Sequence, residues 1–169
     1  IPFAVWRLIP KIAAPIFHDV IKYLASGKLP PPEFNHGRLF IIPKSTSTAI
    51  DRTRPITVNN TDNRIIAKLI TNTITPAIDA VVSLSQKGFI PGRRGSGHIR
   101  KLNDKFYKAI QLKRQHYILF LDTAKAFDSI DHNFIFAVLR KVGAPPWTIA
   151  IIHGLFHSAT VFPVLAEAT

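Results

Sequence analysis

Apolar residues recur at Ile9, Ile12, Ala13, Ile16, Val20 and Leu24, so residues 3–24 predict a helix, with Pro10 and Pro15 expected to start or kink a turn. Ser26-Gly27 ends it, and Leu29-Pro30-Pro31-Pro32 reads as an extended linker. Arg38 to Pro43 predicts a strand, Lys44 to Thr53 a polar loop, and Arg54 to Val58 the antiparallel partner, with Pro55 marking an edge or a strand start. Asn60 or Thr61 caps the next helix, whose Ile65, Ile66, Leu69 and Ile70 share a face. That helix, or a kinked pair around Pro76, runs to about Leu84. Glycines and proline at 88, 91, 92, 95 and 97 then make a loop. His98 to about Gln115 predicts a basic helix, with Ile99, Leu102, Phe106, Ile110 and Leu112 on or near one face. Tyr117-Ile118-Leu119-Phe120-Leu121 reads as a buried strand that stops at Asp122. Asp131 caps a helix to about Val142 with Gly143 after it. Pro145-Pro146 opens another to about His157, and Thr160 to Leu165 reads as a strand.

Length and composition bound this picture. The chain has 169 residues, 47% of them apolar and 10% aromatic, enough for one domain with a core or two lobes sharing one. It has no cysteine, which excludes a disulfide framework and a cysteine metal site and fits an intracellular setting, nucleus or cytoplasm. No apolar run reaches a bilayer-spanning length, and no signal peptide is visible, so no membrane association is expected. The first residue is Ile and the last few carry no stop-like pattern, so the chain reads as an excised piece.

The net charge is +12 and uneven. From His36 to Gln115 there are 15 Lys/Arg against 4 Asp/Glu, a balance of +11, whereas from His116 onward there are 3 against 4, a balance of −1. Such a basic stretch suits a polyanion, nucleic acid above all, although a solvated surface gives the same count. The basic helix carries Arg100, Lys101, Lys105, Lys108, Lys113 and Arg114 against Asp104. The seven histidines show no spacing that suits zinc; His153 and His157 lie four apart without a third ligand.

A carboxylate where a buried strand ends is costly unless it meets a cation, a donor or a metal. Asp122 can therefore hold a divalent ion, with the Thr123 carbonyl as a further ligand; in isolation it reads more readily as the cap of the following turn. The string Leu121-Asp122-x-x-Lys125-Ala126-Phe127-Asp128 resembles motif A of the reverse transcriptases, in the form seen in non-LTR retroelements. Ile42-Pro43-Lys44 and Arg54-Pro55-Ile56 resemble the family's fingertip, and Gln86-x-Gly88-Phe89-x-x-Gly92-Arg93 resembles its fingers-to-palm connection.

The resemblance implies an α+β fold: a fingers lobe over 1–97, then a basic connecting helix and a truncated palm with an antiparallel sheet over 98–169. It implies RNA-directed DNA synthesis, with an RNA template, a DNA primer, deoxynucleoside triphosphates and two Mg2+ ions. Asp122 would be the catalytic metal ligand, Lys44 and Arg54 triphosphate clamps with Arg52 a weaker candidate, and Phe127 the aromatic that excludes a ribose 2′-hydroxyl. Thr123 would sit at the nucleotide. Gln86, Gly88, Arg93, Arg94, Arg100 and Lys101 would meet nucleic acid. Asp128 reads as local structure and Lys125 as exposed. The family often has an acid near position 97, where this chain has Gly95-Ser96-Gly97-His98. Its later Gly-x-x-Gln-Gly and aromatic-x-Asp-Asp stretches do not occur here, so the piece is expected not to polymerise by itself. The rivals are a non-catalytic nucleic-acid-binding remnant and another palm-type nucleotidyltransferase.

The charge pattern makes a direct prediction. Affinity for an RNA–DNA hybrid should fall with salt, with a log–log slope of about −3 or steeper. A flat plot would remove phosphate contacts from the account.

Overall fold

The computed structural model describes residues 1–43, 53–113, 115, 117–123, 126, 127 and 129–164. Among these the fold is α+β, with six α-helices and a mixed three-stranded sheet. Contacts divide the chain into two units, Ile1–Thr73 with Phe136–Thr169, and Ile74–Ile135.

In the first unit the expected leading helix is two: α1 (Phe3–Leu8) and α2 (Pro10–Ala25). The break falls at Ile9, and Pro10 takes the first helical position, where a missing amide costs nothing. Pro15 is carried inside α2. A 3-10 turn at Pro32–Asn35 leads into β1 (His36–Pro43), which pairs antiparallel with β2 (Thr53–Asn59) from Gly37↔Asn59 to Pro43↔Thr53. The hairpin is where the periodicity places it, and Pro55 lies in an edge strand, where its lack of an amide is tolerated. Gly37, opposite Asn59, is buried; a Cβ there would come within 2.7 Å of Thr57 Cγ2 and 2.8 Å of Asn59 Oδ1.

Helix α3 (Thr61–Val81) runs through Pro76 as one element, and the Arg64 amide donates to the Asn60 carbonyl at 3.1 Å. Helix α4 spans Ser96–Gln111 and α5 spans His132–Lys141. Asp131 is the N-cap of α5, its Oδ1 accepting from the Asn133 amide at 2.6 Å and from Phe134 at 3.4 Å. Gly143, at φ 78°, closes α5: its amide donates to Arg140 and that of Ala144 to Leu139, the paired bonds of a Schellman cap. Helix α6 (Pro146–Phe156) follows, then β3 (Thr160–Pro163).

Two expectations are corrected. The sheet is not purely antiparallel, because β3 pairs parallel with β1, from His36↔Thr160 to Leu39↔Pro163, giving the order β2-β1-β3. The helices between β1 and β3 supply the long connection that parallel pairing requires. The run Tyr117–Asp122 is not a buried strand: it has no regular structure, and Leu119 and Leu121 are 80% and 85% exposed. A lone extended segment has nowhere to place its backbone hydrogen bonds, and the second unit has no strand among its described residues.

The core lies in the first unit. Leu24, Ile66 and Ile151 are fully buried, and α2 and α6 approach closely enough that a Cβ on Gly154 would meet Leu24 Cδ2 at 2.8 Å. Between the helices sits a polar knot. Asn35 Nδ2 donates to the carbonyls of Gly154 (2.7 Å) and His157 (2.6 Å), and Asn63 Nδ2 donates to Asn35 Oδ1 (2.7 Å). Both residues are nearly inaccessible, at 3% and 4% exposure. Among the described residues no helix is long and apolar enough to cross a membrane.

Asn35→Ala would remove the side-chain partner of the His157 carbonyl and of the Asn63 amide group and leave the Gly154 carbonyl only the His157 amide, each lost partner costing about 1–3 kcal/mol where the group is buried. Chemical denaturation should show a loss of about 3–5 kcal/mol. Asn60→Ala, which removes only an exposed bond to the Glu33 carbonyl, should cost under about 1 kcal/mol.

Candidate functional site

The second unit holds most of the residues singled out in the sequence. After α3 the chain turns through Ser83–Arg93, and this loop is organised by one side chain. Arg93 Nη1 donates to the carbonyls of Ser83 (2.7 Å) and Gln86 (3.0 Å). Its Nη2 donates to the carbonyls of Asp79 (2.9 Å) and Val82 (3.3 Å) and pairs with Asp79 Oδ1 at 2.6 Å. The last carbonyls of a helix have no partners within it and carry the negative end of its dipole, so a planar cation fits there. The Arg93 side chain is only 11% exposed. Its guanidinium thus bonds to α3 and the loop, a role that sequence reasoning, which proposed a contact with nucleic acid, did not include. The available signal was an arginine at the far end of the loop that follows a helix end carrying Asp79.

The rest of the loop is braced locally. Gln86 Nε2 donates to the Gly88 carbonyl at 3.1 Å, the Arg93 amide donates to Ile90, and Gly92 sits at φ 77°. His98 reaches back through Nε2 to the Ser85 carbonyl at 2.8 Å. Gly88 is exposed, and a Cβ there would meet only Gln86 Nε2, at 3.7 Å. Phe89 stands out from the loop at φ 62°. Its ring meets that of Phe127 at 5.9 Å between centroids, with the planes at 87°. Two residues proposed from separate motifs are therefore neighbours.

Asp122 and Thr123 are exposed, in a stretch without regular structure. Among the described residues no salt bridge involves Asp122, and no group of three or more His, Asp or Glu could hold a metal ion. Magnesium can be held by one or two carboxylates with substrate phosphates. The described residues offer Asp122 as one such carboxylate and do not form a two-ion site.

Arg94, Arg100 and Lys101 are exposed, and Lys101, Lys105 and Lys108 follow helical spacing along one face of α4. Arg54 is exposed on β2 opposite Ile42, in the first unit. Lys44, Arg52, Lys125 and Asp128 lie outside the described residues.

Residues 42–165 match the family model described as "Reverse transcriptase (RNA-dependent DNA polymerase)". Over 147 residues the chain is 26% identical to the Transposon TX1 uncharacterized 149 kDa protein of Xenopus laevis, an alignment covering 86% of this chain and 11% of that protein. The chain thus spans a small part of the curated relative it matches.

Arg93→Lys keeps the charge but loses the planar fork, and should cost about 2–3 kcal/mol in denaturant unfolding. In Arg93→Met, which removes the charge as well, the salt slope of hybrid binding should stay unchanged. A slope flattened by about one with full stability would instead make Arg93 a phosphate contact.

Proposed function

This chain belongs to the reverse transcriptase (RNA-dependent DNA polymerase) family, and from that premise we infer that it is a segment of a non-LTR retroelement enzyme that extends a DNA primer on an RNA template. The observation that carries the reading is the family match over 42–165, which includes the fingertip, the glycine loop and the Asp122 string together. The similarity to a transposon protein of Xenopus laevis supports the retroelement assignment.

In this reading residues 1–97 are fingers and 98–169 the connecting helix and first part of the palm. Asp122 provides one metal-binding carboxylate, and its exposure leaves both oxygens available. Mg2+, when bound with further acids outside this chain, supplies activation of the primer 3′-hydroxyl and charge neutralisation at the phosphates. Lys44 and Arg54 clamp the triphosphate, Thr123 lies beside the nucleotide, and Phe127 closes against the sugar. Gln86 and Gly88 border the nucleic acid, and Arg94, Arg100 and Lys101 track its phosphates. The deoxynucleoside triphosphates, template and primer are the partners, met inside the cell in nucleus or cytoplasm. The segment by itself lacks extension activity.

A second reading, a non-catalytic remnant that keeps nucleic-acid binding, is favoured by the absence, among the described residues, of any group of three or more His, Asp or Glu that could hold a metal ion. One substitution separates the two. In a longer chain carrying the rest of the polymerase, Asp122→Ala should lower primer extension on RNA about a thousandfold or more, the scale of a lost metal ligand. Hybrid affinity should change by less than about twofold, since few phosphate contacts are lost. Extension that survives the substitution would remove the metal role. A longer chain inactive even before substitution would support the remnant.

A further inference from the structure

Phe89 is held in a conformation that neither its backbone preference nor burial accounts for. Its φ of 62° lies in the left-handed region, where a bulky residue is strained, and its side chain is 88% exposed. A structural residue would gain burial in return; among the described residues the ring contact of Phe89 is the perpendicular one with Phe127, itself 79% exposed. The loop forces this placement, because Arg93 ties its two ends to α3, Gln86 bonds across to the Gly88 carbonyl, and Gly92 turns the chain immediately after.

We propose that Phe89 is a positioning residue for nucleotide selection: it holds the Phe127 ring edge-to-face and so sets how closely that ring meets the sugar of an incoming nucleoside triphosphate. The inference rests on Phe127 as the sugar-excluding aromatic. Exposed aromatics that pair at right angles restrict each other's rotamers through the quadrupoles of their rings, a modest but directional effect. The strain at residue 89 is then part of a preorganised corner, with the Gln86–Arg93 loop acting on the substrate's sugar through Phe89. Stacking of Phe89 on a template base is the rival.

The test uses a longer chain carrying the rest of the polymerase, with Phe89→Leu, Phe89→Tyr, Phe127→Val and the Leu/Val double variant. The readouts are kcat/KM for a deoxynucleotide against the matching ribonucleotide, hybrid Kd and melting temperature. Phe89→Leu should lower sugar discrimination about two- to tenfold, the range expected of one aromatic pair. Phe89→Tyr, which keeps the ring edge, should stay within about twofold of the parent. The double variant should discriminate no worse than Phe127→Val, because both act through one ring. Melting temperature should not fall. Discrimination lost in Phe127→Val but intact in Phe89→Leu overturns the inference and leaves the gate standing. Weakened template binding with intact discrimination overturns it in favour of base stacking. Unchanged discrimination in Phe127→Val removes the gate itself, and the inference with it.

Discussion

The guanidinium of Arg93 does what a small unit with little apolar interior most needs. Among the described residues of Ile74–Ile135, only Ile90 and Ala109 are buried apolar side chains, too few to hold the excursion between α3 and α4 by packing. The chain leaves α3 with carbonyls that have no partner inside the helix, and Arg93 satisfies them at Asp79 and Val82 while reaching Ser83 and Gln86 in the loop. A lysine could supply the charge but not the divergent donors. The loop's shape, and with it the place of Phe89, follows from that one group.

The first unit solves the same problem with an amide. Asn35 takes the carbonyls of Gly154 and His157 at the end of α6, and Asn63 on α3 donates to its oxygen. In both units a side chain from a distant stretch occupies the exposed carbonyls of a helix terminus. In the first unit the amide knot sits beside a true apolar core of Leu24, Ile66 and Ile151; in the second the guanidinium has little such support. The candidate chemistry of Phe89, Asp122 and Phe127 falls in the less packed unit, as expected of segments that must meet a substrate.

What could be read from the sequence was what neighbours in the chain decide. Asp131 and Gly143 bracket α5 because capping involves groups a few residues apart, and the β1–β2 pairing follows from two short apolar, strand-forming runs on either side of a polar stretch. The Tyr117–Leu121 run was misread because an apolar stretch becomes a strand only where another backbone accepts its ladder, and periodicity carries no information about that neighbour. The parallel pairing of β3 was missed for the same reason. The candidate site was legible as residue types: Asp122, Phe127 and the glycine loop stand in a recognisable order. Its arrangement was not. That Arg93 bonds to α3 and the loop, and that Phe89 meets Phe127, depends on how the loop folds back, which no local pattern encodes.

Site-resolved amide hydrogen exchange on the native chain and an Arg93→Met variant tests the bracket most directly. The account predicts that the Gln86 and Arg93 amides, bonded to Ser83 and Ile90, are protected in the native chain and lose protection in the variant, while the β1–β2 ladder is unaffected. Equal protection of residues 83–93 in both proteins, or none in the native chain, would contradict it.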